Sequence, residues 1–221
     1  MTWGSCEAIL DEDNKINVSD CLNELNEELT FGERVVNMSM KYGFMVVCTT
    51  IQCYVYSFTT QNWTSPFVFD LKDNVYMIVQ GAKFFAIIDA SQNFNVYSYE
   101  GKLISSPKYQ GLRVEFLSQR HISVASDVIA LIDPSNPKTV RVFDINSGKA
   151  GQSIEHATDI IEMELNQVEV ATERKMCFVD SNRDMFMTKV HTPELHKICN
   201  MVDSFQWNDA NDMLAALADG Q

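Results

Sequence analysis

Four histidines could act as proton carriers or metal ligands: His121, His156, His191 and His196. None sits in an H-E-x-x-H pattern. His191 and His196 have Pro193 between them, so no helix face carries both. They read as surface or hydrogen-bonding residues. The stretch DEDNKINVSDCL (11–22) opens like a calcium loop, with alternating acids. It then places Ile16 where that loop needs glycine and Leu22 where it needs a bidentate acid. Cys6, Cys21, Cys48, Cys53, Cys177 and Cys199 contain no C-x-x-C and no zinc spacing with the histidines. Cys48, Cys53 and Cys177 lie in apolar runs, where a thiol behaves as a small hydrophobe. No dinucleotide, P-loop or nucleophile-elbow glycine pattern occurs. A protein with no catalytic residues, no cofactor, no metal and no small-molecule substrate is expected.

The one regular polar feature is an aspartate that recurs in turns, at Asp89, Asp133, Asp180 and Asp219. Short carboxylates there bond their own backbone and fix the turn. Catalysis by such acids would need them at inner-strand ends converging on one point, and these point apart. The turns belong to four similar segments: VVCTTIQCYVYSF (46–58), FAIIDASQNFNVYSYEG (85–101), IALIDPSNPKTVRVFDINSG (129–148) and MCFVDSNRDMFMTKV (176–190). Each is an apolar run, a polar turn, then an alternating run, which is the pattern of a β-hairpin. Tyr56, Tyr97, Phe143 and Met187 hold equivalent places at intervals of roughly 40–45 residues, the spacing of WD propeller blades. Ser57, Ser98, Asp144 and Thr188 follow them as a degenerate Trp-Asp site.

The fold class expected is all-β, a partial or small WD40-type β-propeller. Inner strands are expected at Val35–Lys41, Val75–Gln80, Val114–Gln119, Ile160–Asn166 and Val202–Trp207. Outer strands are expected near Pro66–Leu71, Leu103–Ser106, Ile154 and Leu195–Ile198. Residues 33–200 would make four full blades, and 201–221 the first two strands of an incomplete one. Residues 1–32 would be half-blade strands or an irregular lead-in, with 26–31 as an outer strand. The two ends would then complete one split blade, for about five blades in a ring. The final Asp-Gly is read as the same hairpin turn in the last blade.

Charge narrows the partners. With 17 basic and 30 acidic residues the net charge is −13. A nucleic-acid binder needs a basic stripe, and an anionic bilayer needs basic clusters. No run of about 18 apolar residues is present, so no membrane insertion is expected, and MTWGSCEAILDEDNK shows no basic segment followed by an apolar one, so no secretory leader is expected. The methionines read as core filler. Trp207 reads as core, and Trp63, in the loop TTQNWTSP, as a possible partner contact.

Several longer strings carry a resemblance. VVNMSMKYGFMVV, QCYVYS, FDLKDN, VYSYEGKLISSPKYQGLR, FVDSNRDMFMT and WNDANDMLAALADG resemble the second WD propeller of the eighty-kilodalton WD-repeat subunit of intraflagellar transport complex B. The likeness runs from about Val35 to Gly220 and is weak over 1–32. It implies a non-enzymatic scaffold that contacts other complex-B subunits, serves cilium assembly and ciliary protein transport, and resides in the cilium and the cytoplasm at its base. Set against that plan, the sequence is expected to hold neither a first propeller nor the helical-repeat tail. Two other readings remain: a vesicle-coat-type WD-repeat scaffold, or a truncated product without independent function.

Overall fold

The structure is a computed structural model, and it describes residues 1–12, 14–22, 25–59, 62–63, 65–109 and 113–220. The described chain forms consecutive antiparallel sheets, each built from strands adjacent in sequence. The first comprises Thr2–Trp3, Cys6–Leu10, Lys15–Asp20 and Leu25–Thr30. The second comprises Val35–Lys41, Phe44–Thr49, Gln52–Thr59 and Phe67–Asp70, with the short Asn62–Trp63 also paired to Gln52–Thr59. The third has Val75–Gln80, Phe84–Asp89, Phe94–Ser98 and Leu103–Ser105. The fourth has Ile122–Val124, Val128–Ile132, Thr139–Asp144 and Ile154–Glu155. The fifth has Ile160–Leu165, Lys175–Asp180, Met185–Lys189 and His196–Cys199. The sixth is the pair Val202–Trp207 and Leu214–Ala218.

Burial follows position within a sheet. The second strands are continuous apolar runs, such as Phe44–Thr49 and Lys175–Asp180, buried on both faces. A strand reads that way when neighbouring sheets cover both of its faces. The third strand Phe94–Ser98 alternates buried and half-buried residues, and the outer strands Phe67–Asp70 and His196–Cys199 are largely exposed. Successive sheets meet through their first strands, which therefore line a common axis. Among the described residues, each hydrophobic cluster lies between two consecutive sheets. Ala8 and Ile16 pack with Met45 and Val47, Cys48 and Val55 with Phe85 and Ile87, and Ala86 and Ile88 with Ile129 and Leu131. Val140 and Val142 pack with Met176 and Phe178, and Cys177 and Val179 with Phe205 and Trp207. Each Val, Leu, Ile, Phe or Met among them contributes about 1.5–3 kcal/mol on full burial.

The all-β propeller expectation stands, with inner strands at Val35–Lys41, Val75–Gln80, Ile160–Leu165 and Val202–Trp207. Two details are corrected. Val114–Gln119 is no inner strand. Val114–Phe116 and Gln119–His121 are short 3-10 turns, and the fourth inner strand is Ile122–Val124. The cause is the hairpin that follows: the Ala125 amide donates to the Val128 carbonyl, so the inner strand must lie immediately upstream. The second correction concerns the split blade. The first sheet supplies all of its own strands, because Gly4 at φ +59° lets Thr2–Trp3 fold back on Cys6–Glu7. Val202–Trp207 and Leu214–Ala218 pair with each other and with no third strand among the described residues.

Candidate interaction surfaces

The first strands enclose an axial cavity of about 260 Å³. Its polar wall comes from Ser39, Lys41, Gln80, Ser123, Glu162 and Glu164. The two carboxylates alternate along one inner strand, which turns both out of the sheet. Each already holds a cation. Glu164 pairs with Lys41 at 3.4 Å, and Glu162 with Arg120 at 3.9 Å. Glu164 also accepts the Trp207 amide at 3.0 Å. Burial pushes the Glu164 carboxyl above its ordinary value, and Lys41 and the Trp207 amide oppose it. Burial likewise raises Glu162 against Arg120. Gln80 closes the wall by accepting from Ser39 at 2.6 Å and donating to the carbonyls of Lys41 and Phe44. One mouth ends on Tyr42-Gly43, a hairpin turn with φ +54° and +77°, the angles of a type I′ turn. Burial pushes the Tyr42 phenol up, reinforced by Asp209 and Glu164. The cavity is thus a charge-compensated polar channel with no activated nucleophile. The sequence carried a signal for it that the reading above missed: the i, i+2 acids of IEMEL within a strand already assigned as inner.

Asp89, Asp133 and Asp180 lie where the repeat places them, with distinct partners. Asp133 accepts from Tyr109 Oη at 2.5 Å, the Ser135 amide at 2.8 Å and Arg141 Nε at 3.0 Å. Burial opposes its ionisation, but these donors outweigh it and hold the carboxyl below its usual value. Asp180 accepts from Thr158 Oγ1 at 2.6 Å, from the amides of Asn182 and Asp184, and bonds His156 Nε2 at 3.1 Å. It too is held low, against burial. Asp89 bonds both the amide and the side chain of Asn93. In the second sheet Thr49 does this work through the Gln52 amide. These carboxylates lock turns and do not converge. Asp219 is a correction: its amide bonds the Met201 carbonyl as that of Ala90 bonds Asn74 and that of Ser181 bonds Asp159. Ala218, opposite Val202, therefore occupies the place of Asp89 and Asp180, and Asp219 lies one residue beyond it.

A second polar cluster joins the fourth, fifth and sixth sheets. Arg174 has no exposed side-chain surface. It donates to Asp127 at 2.6 Å, Ser126 at 2.8 Å, the Val168 carbonyl at 2.6 Å and the Asn166 carbonyl. His191 bonds the other Asp127 oxygen at 3.0 Å. Asn166 donates to Asp212 at 2.8 Å, which also holds Lys175. Neither Arg174 nor Asn166 stood out in the sequence, because a buried arginine is recognised only from its partners. His156 is buried and bonded, and His191 is bonded at the surface, as expected of hydrogen-bonding histidines. Among the described residues no group of three His, Cys, Asp or Glu side chains could hold a metal. The cysteines are free thiols. Trp63 lies in a two-residue strand with Phe58 opposite it, and its side chain is outside the described part of the structure.

Sheets stacked around an axis through their first strands, with a locked turn in the second to the fifth, define a WD-type β-propeller. Solved structures share that fold. Hsv2 of Kluyveromyces lactis superposes with a TM-score of 0.59 at 13% identity, covering 84% of this chain and 59% of that one. A form of it with loop 6CD replaced by a Gly-Ser linker gives 0.62 at 9% identity, covering 97% and 71%. The chain belongs to the family described as the IFT80 second beta-propeller, which it matches over residues 1–221. That match includes the first 32 residues, where the strings compared above gave little. It is 33% identical to the intraflagellar transport protein 80 homologs of Rattus norvegicus and Mus musculus over 98% of its own length. It spans 29% of the length of those relatives.

Proposed function

We propose that the chain is a non-enzymatic docking scaffold of intraflagellar transport complex B, serving cilium assembly and ciliary protein transport in the cilium and at its base. The observation that carries this reading is the match to the IFT80 second propeller along the whole chain. The site chemistry agrees with it: the channel carboxylates are neutralised and the turn aspartates are tied into the fold. A propeller of this kind displays loop side chains on a rigid frame, which suits protein contacts and no reaction. Other complex-B subunits are the partners, and Trp63 is one contact. The net charge of −13 disfavours nucleic acid and anionic lipid. No helix among the described residues is long and apolar enough to cross a membrane.

The test is affinity purification of the tagged chain from ciliated cells with mass spectrometry of the co-purifying proteins. Complex-B subunits in stoichiometric amounts are expected, reduced for Trp63→Ala. Recovery of vesicle-coat subunits instead, or of chaperones alone, overturns the reading.

A further inference from the structure

The inner strands share an irregularity that the scaffold reading does not use. In the second, third, fifth and sixth sheets the ladder slips by one residue near its start. The slips fall between Val35 and Asn37, Val75 and Met77, Ile160 and Glu162, and Val202 and Ser204. Such a bulge leaves one residue unpaired and re-aims its side chain. The extruded residues are Val36, Tyr76, Ile161 and Asp203. All are exposed, the first three at 38%, 41% and 45%. Every inner strand starts on the face that carries the aspartate turns, so these side chains surround one mouth of the axis. Their proximity shows in a bond between sheets: Asn37 Nδ2 donates to the Tyr76 carbonyl at 3.1 Å. In the fourth sheet the 3-10 turn supplies the equivalent. Phe116 is 58% exposed, and its carbonyl bonds His121, which immediately precedes that inner strand. Val36, Tyr76, Phe116 and Ile161 therefore make an apolar arc at this mouth, where none of them contributes to a core.

Charge selects the occupant. Exposed Glu33, Glu115 and Asp159 border the arc with the half-buried Asp73. Of the nearby cations, Arg120 is held by Glu162 and Arg183 by Asp203, leaving Arg34, Lys72, Arg113 and Lys138, which follows the Pro137 carbonyl that accepts the Ile160 amide; these offset the bordering acids, so the sign of the field is set by the molecule's net charge of −13. We infer that the arc docks a peptide segment of a partner protein that presents large apolar side chains flanked by lysine or arginine. The inference rests on the scaffold reading and names the chemistry of one contact. Apolar anchors give such a contact its affinity, and the charges set partner choice and encounter rate.

The experiment uses a phage-displayed library of random dodecapeptides, selected on the immobilised chain and counter-selected on Tyr76→Ser/Ile161→Ser. Both positions are exposed, and a thermal melt confirms that the variant is folded. Selected peptides are expected to combine Leu, Ile, Phe or Trp with flanking Lys or Arg, and to bind the double variant about tenfold more weakly or worse. Leu103→Ser, an exposed apolar position on an outer strand, leaves binding unchanged. Failure to enrich, equal binding to the double variant, or enrichment of acidic peptides overturns the inference. A dimer by light scattering that the double variant dissolves also overturns it, by assigning the arc to a second copy. The two readings fail separately. Unselective peptides overturn the arc while complex-B association persists; absence of complex-B subunits overturns the scaffold while the arc keeps its selectivity.

Discussion

A guanidinium without exposed surface must have its donors engaged, and Arg174 meets that demand through Asp127, Ser126 and two carbonyls. Replacing it with Met leaves Asp127 to His191 alone and strands two carbonyls. The expected cost is about 3–5 kcal/mol, read from urea unfolding. Arg174→Met/Asp127→Leu is expected to recover much of it, since the uncompensated charge goes too; no recovery would mean that packing, not charge, is at stake. Asp180 makes a different prediction. Its folded pKa lies below the ordinary value, so its stabilisation is complete above the ordinary aspartate pKa and disappears as pH falls through the depressed one. Asp180→Asn should therefore flatten the acid limb of stability between about pH 5 and pH 2, measured by denaturation at a series of pH values. An unchanged limb would remove Asp180 from acid unfolding. Asp89, Asp133 and Asp180 were legible as turn residues because a short carboxylate in a repeated turn has a local job. Arg174 and Asn166 were not, because each is defined by partners on other sheets.

At the scale of elements, strands were readable wherever a long apolar run met a clear turn. Phe84–Asp89 and Lys175–Asp180 are such cases. The fourth inner strand was misplaced because Val114, Phe116 and Leu117 compete with Ile122 and Val124 as apolar stretches. Only the hairpin at Ala125 to Val128 decides between them. Thr2–Trp3 was invisible for a related reason: two residues carry no periodicity, and the turn at Gly4 creates the strand. Close approach between sheets gives a test. A Cβ at Gly81 would run into the Val124 carbonyl oxygen, forcing backbone of the third and fourth sheets apart. Gly81→Ala is expected to cost about 1–3 kcal/mol in thermal unfolding. Gly32→Ala, whose added Cβ meets nothing within 4 Å, should change stability by no more than about 0.5 kcal/mol. Equal effects would dismiss the close approach.

At the scale of the molecule, a charge of −13 works against compactness. Raising salt from about 10 mM to about 150 mM should raise the melting temperature; a fall would mean that the surface ion pairs outweigh self-repulsion. The arrangement of the cores has a further consequence. Because each cluster is shared by two consecutive sheets, cooperativity passes from neighbour to neighbour, as in a one-dimensional array. Opening can then proceed sheet by sheet instead of all at once. The amides of Val202–Trp207 and Leu214–Ala218, held by a single cluster with the fifth sheet, should exchange with deuterium first. Those of Phe84–Asp89 and Val128–Ile132, gripped on both faces, should exchange last, so that protection peaks in the middle sheets and falls away toward the first and the sixth.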